Sequence, residues 1–446
     1  MIEPRILKGF RDMLPQDERI RLRLQDILQR VFRSYGFVPI DTPLLEYTEI
    51  LLGKGGGETD KQIYRFEDHG GRDVALRFDL TVPFARFMAA HYSELPLPFK
   101  RFHMAKVFRG ENTQRGRYRE FTQCDFDIVG VDSVSADFEI LNLMADSFAA
   151  LGTTGISLRV SHRGLFNQLL DRLGIAGETT EVLRLVDKLR KIGADKVREG
   201  LIALADDQAA EDILAFIQPL DNNQATLENM IRLAGGESAA AARLRGVLEL
   251  ATESSMAADV VLDPSITRGL DYYTGIVFET FLSDLPQIGS VCSGGRYNDL
   301  AGLYTKQLLP GVGASIGLDR LLAGLDELSR LPQLGPETQV LVFCLQEDCL
   351  SACHRVAGLL RADGWRVEVY PEAKKLPKQF AFAEKRGIPL GIIIGPEEQE
   401  AGTANLKDLR TRETIDGIPV AHISHQLREL APEFSVSARH GGDSGL

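Results

Sequence analysis

Apolar residues recur at helical spacing between residues 17 and 35: Ile20, Leu24, Ile27, Leu28 and Val31, closed by Gly36. That spacing predicts an amphipathic helix. The next segment, Phe37 to Pro43, is extended and carries two prolines, which suits a sheet edge or an interface better than a central strand. Short alternating runs from Ile63 to Asp79, around Gly70-Gly71, predict hairpin strands, and a helix is expected from Val82 to His91. Phe99 to Val107 and Arg119 to Val129 alternate as two strands joined by the polar loop Gly110 to Gly116, and residues 134 to 151 return to helical period. From 165 to 255 Leu, Ala, Arg and Glu dominate with few strand signals, which predicts a helical insertion. Strand-and-glycine character returns over 258 to 330: Val260 to Leu262, Gly275 to Phe281, then a glycine-rich run at 311 to 317 that leads into a helix.

Pro332 to Pro336 reads as a linker. Beyond it, buried-strand runs at Val340 to Leu345 and Leu390 to Gly395, with a strand at Arg366 to Tyr370, alternate with helices at Leu350 to Ala362 and Leu376 to Lys385. This alternation predicts a small α/β domain with a largely parallel sheet. The expected architecture is therefore mixed α/β (α+β). One domain, 1–164 and 256–330, is split by an insertion at 165–255; a second domain spans 336–432; and the tail, 433–446, is expected to be disordered.

Composition changes this picture little. With 446 residues, 44% hydrophobic and 26% charged, the chain is ordinary globular protein of two or three domains. No apolar run reaches the length of a membrane span, and Met1 to Asp12 mixes charge and apolar residues too evenly for a signal peptide. Cysteines 124, 292, 344, 349 and 353 are odd in number and none form Cys-x-x-Cys, so neither a disulfide framework nor a zinc site is suggested. Buried thiols and a reducing cytoplasm are the expectation. The net charge of −12 argues against nucleic acid as a partner of the whole surface. Locally the balance inverts: Lys100, Arg101, Lys106, Arg109, Arg115, Arg117 and Arg119 face a single acid, Glu111. Such a strip either directs phosphate to one place or forms a solvated face.

Three constellations could carry chemistry. In Val107-Phe-Arg109-Gly-Glu111 and Gly116-Arg-Tyr-Arg-Glu-Phe121, arginines on a hairpin could hold phosphates while the aromatic face stacks a base. Gly311-Val-Gly-Ala-Ser-Ile-Gly317-Leu-Asp-Arg320 brings glycines and an arginine to a strand–helix junction. It is neither a P-loop nor a Rossmann fingerprint, and a glycine strand packed on a helix explains it equally well. Arg268-Gly-Leu-Asp271-Tyr272-Tyr273, with Gly294-Gly-Arg296-Tyr297 downstream, would suit a small polar ligand with an aromatic body; tyrosines in a core are the alternative.

Taken in order, these segments resemble the class II aminoacyl-tRNA synthetases, with their arginine-bearing second motif and glycine-then-arginine third motif. The helix at 17–35 and the proline strand resemble the dimer-forming first motif. Within the class, Arg268 to Tyr273, Gly294 to Tyr297 and Lys8 to Pro15 are similar to signatures of the histidyl-tRNA synthetase family, and the resemblance spans nearly the whole chain. The family implies an antiparallel-sheet catalytic domain and a C-terminal anticodon-binding domain. It implies ATP with Mg²⁺, L-histidine and tRNA(His) as substrates and partners, and a homodimer with no membrane association. It implies that Arg109 and Arg320 grip the α- and γ-phosphates, Glu111 accepts from adenine, Arg117 reaches the terminal phosphates and Phe121 stacks on the base. Asp79, Thr81 and Gln123 would hold the histidine amino group, Asp127 and Tyr273 the two imidazole nitrogens, with Tyr272 lining the pocket. Arg268 would contact both the carboxylate and the α-phosphate. Two departures stand out: aspartate at 79 and 127 where some members carry glutamate, and Asn298 where aspartate is usual.

Lys374, Lys375, Lys378, Lys385 and Arg386 are candidate contacts to RNA backbone, as are Lys188, Arg190, Lys191, Lys196 and Arg198 for an acceptor stem. Two other readings remain: a catalytically silent paralogue that senses histidine and regulates a biosynthetic enzyme, and a synthetase for another amino acid. The retained Arg109, Glu111, Arg320 and Arg268 weigh against the first, and the 268–273 signature weighs against the second.

Overall fold

The computed structural model describes residues 1–53, 62–254, 256, 260–267 and 272–434, apart from the side chains of residues 190 and 191. The expected disordered tail lies largely outside this range. The first helix forms as α1 (Pro15–Ser34), with Pro15 in its first turn, Asp17 and Glu18 at its positive end, and Ile20, Leu24, Leu28 and Phe32 buried. There follow β1 (Val38–Pro39), β2 (Leu45–Tyr47), α2 (Thr48–Leu52), β3 (Arg65–Glu67), β4 (Asp73–Leu76), α3 (Thr81–His91), β5 (Phe99–Phe108), β6 (Glu120–Val129), α4 (Val134–Ala150) and β7 (Ile156–His162). The expected helical stretch is α5 (Arg163–Arg172), α6 (Thr179–Asp187), α7 (Leu189–Ile192), α8 (Ala194–Leu204), α9 (Asp207–Phe216), α10 (Asn223–Leu233) and α11 (Ala239–Glu253). Asp206, Asn222 and Ser238 cap the last three through their side chains. Then come β8 (Val260–Leu262), β9 (Ile276–Leu282), β10 (Cys292–Arg296), β11 (Gly311–Gly317) and α12 (Leu318–Glu327).

One eight-stranded sheet organises these residues, in the order β1-β5-β6-β11-β10-β9-β7-β8. Pairing is antiparallel from β5 through β7, and the outer strands β1 and β8 run parallel to their neighbours. The proline segment is thus an edge strand, as its missing N–H donors require. Register decides what each face carries, because residues paired across strands share a face. Phe102 is opposite Phe126, and both meet Phe32 of α1, at 5.7 and 4.9 Å between ring centroids. The opposite face pairs Arg101 with Asp127, His103 with Asp125 and Ala105 with Gln123. It continues onto β11 as Gly313, Ser315 and Gly317, and onto β10 as Gly295 and Ser293. One face is a hydrophobic core; the other is a buried polar floor.

The chain divides into Met1–Pro332 and Gln333–Leu446. The second unit contains β12 (Val340–Cys344), α13 (Leu350–Ala362), β13 (Val367–Val369), α14 (Leu376–Lys385), β14 (Leu390–Ile394), α15 (Pro396–Ala401), β15 (Thr403–Asp408), β16 (Thr414–Pro419) and α16 (Ile423–Leu430). Its sheet order is β13-β12-β14-β15-β16. Only β13, β12 and β14 are parallel; β15 and β16 are antiparallel, which corrects the largely parallel sheet expected from the sequence. β15 alternates buried and partly exposed positions and β16 is mostly exposed, so both lack the continuous apolar run that marks β12 and β14. The five cysteines are free and buried. Among the described residues no helix is long and apolar enough to cross a membrane.

Candidate active site

Asp79 sits just before α3, where its Oδ1 accepts the Val82 backbone N–H at 3.1 Å and its Oδ2 accepts the Tyr272 hydroxyl at 3.3 Å. Thr81, one turn into the same corner, is also hydrogen-bonded to Tyr272. Tyr272 and Tyr273 meet edge to face at 4.9 Å, and Tyr297 packs against Tyr272 at 6.1 Å. The Tyr297 hydroxyl donates to Asp127 Oδ1 at 2.5 Å, and Arg101 Nη2 lies 2.8 Å from the other oxygen. Gln123 donates to Ser315 at 2.9 Å, and its own carbonyl oxygen has no hydrogen-bond partner. The glycines of β10 and β11 make room for the site's own side chains. A methyl on Gly313 would stand 2.0 Å from Asp127 Oδ1, one on Gly311 2.4 Å from the Tyr297 ring, and one on Gly295 2.8 Å from Tyr273.

This cluster is acidic and buried. Asp79, Asp125 and Asp127 are at most 2% exposed. Burial pushes the Asp79 carboxyl up to about 6, and burial with Asp127 nearby takes Asp125 to about 7 against the pull of Arg101. Asp127 is also raised by burial, with Arg101 and the Tyr297 hydrogen bond pulling it back. Burial, followed by Asp127, holds the Tyr273 phenol far above its usual range, so it remains a donor. Such a floor favours a compact cation with further N–H groups.

A second cluster adjoins it. Arg109, at the end of β5, donates from Nε to the Phe78 carbonyl at 2.9 Å, beside Asp79. Its guanidinium lies 5.2 Å from the Phe121 ring centre. Glu111 stands between Arg109 and Arg117 at 3.8 and 3.7 Å, too far for hydrogen bonds and close enough to hold both by charge. Arg320, in the first turn of α12, donates to the Ser290 carbonyl at 2.7 Å, and Gly116 of the hairpin loop abuts its Cα. Asp319 locks the arrangement: it accepts the Thr122 backbone N–H at 2.6 Å and pairs with Arg11, which stacks over Tyr118 at 3.7 Å. The hairpin, the glycine strand and the N-terminal segment thus converge on one place. Arg268 lies outside the described residues.

Several expectations are sharpened. The basic strip is not one surface. Lys100 and Lys106 pair with Glu139 and Glu120, Arg101 is wholly buried, and Arg115 reaches Glu327 at 3.0 Å. Asn298 is chemically specific: its oxygen accepts from Arg296 at 3.1 Å while its amide donates to Asp132 at 3.0 Å. An aspartate there would face Asp132 with like charge. Arg296 is itself clamped by Asp137 at 2.6 Å and so fixes the neighbouring Tyr297. The sequence reading missed Arg101, Asp125 and Ser315. The signal that could have found the first two is the parity of the strands: Arg101, Asp125 and Asp127 fall on odd positions of paired strands.

An antiparallel sheet with an arginine hairpin on one flank and a glycine strand entering an arginine-bearing helix on the other is the core of a class II aminoacyl-tRNA synthetase. The family model for histidyl-tRNA synthetase matches residues 9–321, and that for an anticodon-binding domain matches 339–430. The histidine–tRNA ligase of Treponema denticola is 49% identical over 96% of this chain and 98% of its own length. That of Rhodopirellula baltica is 48% identical over 93% and 96%. The crystal structure of histidyl-tRNA synthetase from Nostoc sp. PCC 7120 superposes with a TM-score of 0.84 at 32% identity, covering 96% of this chain and all of that one. The chain belongs to the histidyl-tRNA synthetase family.

Proposed function

We propose that the protein activates L-histidine with ATP and transfers it to the 3′ end of tRNA(His), using the two adjoining clusters as the amino-acid and nucleotide sites. The observation that carries this reading is the adjacency of a buried acidic cluster and an arginine-bearing one, joined by the Arg109–Phe78 bond next to Asp79. The histidine ammonium fits the carboxylate of Asp79 with Thr81 and the free oxygen of Gln123. Its imidazole fits between Tyr273 and Asp127, with Tyr272 as a wall. A site whose own polar groups are left unpaired by the wrong ligand discriminates strongly against isosteres.

In the first step the histidine carboxylate attacks the α-phosphate in line; the new carboxyl O–P bond forms and pyrophosphate departs. The nucleophile is already ionised, so the protein supplies alignment and positive charge rather than a base. Arg109 serves the α-phosphate, with Arg268 beside it by family resemblance; Arg117 and Arg320 serve the outer phosphates; Phe121 and Glu111 hold the adenine. Mg²⁺ would accompany the triphosphate, bound through its phosphate oxygens and offsetting their charge. In the second step a ribose hydroxyl of the tRNA attacks the adenylate carbonyl and AMP leaves.

The C-terminal unit is the candidate anticodon reader. Lys374 pairs with Glu372 and Arg386 with Glu368, both at the surface, which makes Lys375, Lys378 and Lys385 its better phosphate contacts. In the helical stretch Arg198 is held by Asp207 at 2.6 Å, and Lys188 and Lys196 are exposed. The side chains of Arg190 and Lys191 lie outside the described set. Homodimerisation through the β1 edge is supported by exposed Val38, Leu44, Leu45 and Tyr47 around it. The cytoplasm suits the five free thiols. ATP–pyrophosphate exchange across the twenty amino acids tests the activation step. Exchange with histidine alone is expected; histidine binding without exchange would favour the regulatory paralogue.

A further inference from the structure

We infer that Arg101 is a positioning residue for histidine selection: its buried guanidinium fixes the orientation of Asp127, the carboxylate that meets the imidazole. This rests on the histidine-activating reading above. Arg101 and Asp127 are direct cross-strand partners on β5 and β6, so backbone register alone aims them at each other. The Arg101 side chain is fully buried, lies 4.2 Å over the Phe84 ring, and places Nη2 2.8 Å from Asp127 Oδ2 and 3.9 Å from Asp125. Tyr297 holds the other Asp127 oxygen. The carboxylate is therefore gripped from both sides before any ligand arrives.

Its grip by Arg101 is one of charge. None of the three guanidinium nitrogens has a hydrogen-bond acceptor in alignment, and Asp127 Oδ2, Asp125 Oδ1 and Gln123 Oε1 on the same floor also lack hydrogen-bond partners. Buried polar atoms left unsatisfied are costly, and a fold needing only a core would fill this place with apolar side chains. These six atoms instead share the one sheet face that meets the proposed histidine site. Asp127 is an aspartate, so its reach is short, and its position matters more than that of a longer, adaptable carboxylate. Burial works against its charge, and Arg101, the nearest cation, works for it.

Arg101→Lys keeps the charge and loses the fork; Arg101→Met keeps the bulk and loses the charge. In pyrophosphate exchange the lysine variant is expected to raise KM for histidine about 10-fold and the methionine variant about 100-fold. KM for ATP should stay within about 2-fold, because the nucleotide cluster does not touch Arg101. A purely structural role would move both constants together or melt the unit, and either result overturns the proposal. So would loss of fold in both variants. A double-mutant cycle with Asp127→Asn completes the test: the effect of Arg101→Lys on histidine affinity should vanish once the carboxylate is gone. Additive effects would show that Arg101 acts elsewhere. Failure of the wild-type protein to exchange with histidine refutes the functional reading; histidine exchange unaltered in the Arg101 variants refutes this inference alone.

Discussion

The eight-stranded sheet of the N-terminal unit and the five-stranded sheet of the C-terminal unit are built from similar strands and used in opposite ways. In the C-terminal unit β12 is buried at every position, and its floor is apolar on both faces: Val340 and Val342 on one, Leu341 and Phe343 on the other. Charge is kept to the sheet's end: Asp408, the last residue of β15, is buried but paired with Arg410 at 2.6 Å. In the N-terminal unit β6 and the middle of β5 are also buried, yet one face of the two carries Arg101, His103, Asp125 and Asp127. Burying ions costs several kcal/mol each unless they are well paired, so this face is a stability burden that the proposed histidine-binding role would explain. The comparison teaches where to look for chemistry in an α/β chain: on the buried sheet face that a purely structural protein would have made apolar.

The sharpest way to break this contrast is through the cation that joins the two clusters. Arg109→Ala should lower pyrophosphate exchange about 10³-fold, chiefly in kcat, since the positive charge matters most as the α-phosphate gains charge. An unchanged kcat would remove Arg109 from the reacting centre. Asp79→Asn comes next, with about 10²-fold weaker histidine use. It carries a second signature: the wild-type carboxyl is raised from 3.8 to about 6, so the folded state holds its proton more tightly than the unfolded chain. Stability therefore falls as pH rises from about 4 to about 6 and stays lower above that window. The asparagine, which can still accept from Val82, should be more stable at pH 7.5 by roughly 1–3 kcal/mol while being less active. A variant both less active and less stable at pH 7.5 would mean that Asp79 serves the fold. The same pKa predicts that histidine affinity of the wild type declines as pH drops through about 6. Gly313→Ala should cost activation about 10-fold to 10²-fold, because its methyl displaces Asp127; the ATP constant should hold.

Much of the site was legible in the sequence because motif residues lie near one another along the chain: Arg109, Glu111, Arg117 and Phe121 share one hairpin. What was not legible depends on register. Arg101 sits in a run of basic residues and reads as part of a phosphate-binding or solvated strip. Only the pairing of β5 with β6 turns it against Asp127, while Lys100, its neighbour, turns to the opposite face and Glu139. Asp125 was hidden for the same reason. The fold shows the same limit. Continuous apolar runs announced β12 and β14, but β15, whose apolar positions are only Ala404 and Leu406, and β16, mostly exposed and interrupted by Gly417, offered no such run and changed the sheet from largely parallel to mixed.

The smallest expected effect on activation comes from the apolar sheet, and it tests whether the two units divide the work. Gly391 on β14 is paired beside Leu341 of β12, and a methyl there would stand 2.3 Å from the Phe343 ring, itself packed against Phe380 at 4.8 Å. Overpacking of this kind costs about 1–3 kcal/mol. The chain has a single tryptophan, Trp365, buried in this same unit and donating to Ser424 at 3.2 Å. Its fluorescence therefore reports the C-terminal unit alone. Gly391→Ala should lower the tryptophan-detected melting midpoint while leaving pyrophosphate exchange within about 2-fold of wild type. Charging of tRNA(His) should fall as temperature approaches that lowered midpoint. A parallel loss of pyrophosphate exchange would show that the polar sheet depends on the apolar one, and the division of labour between them would fail.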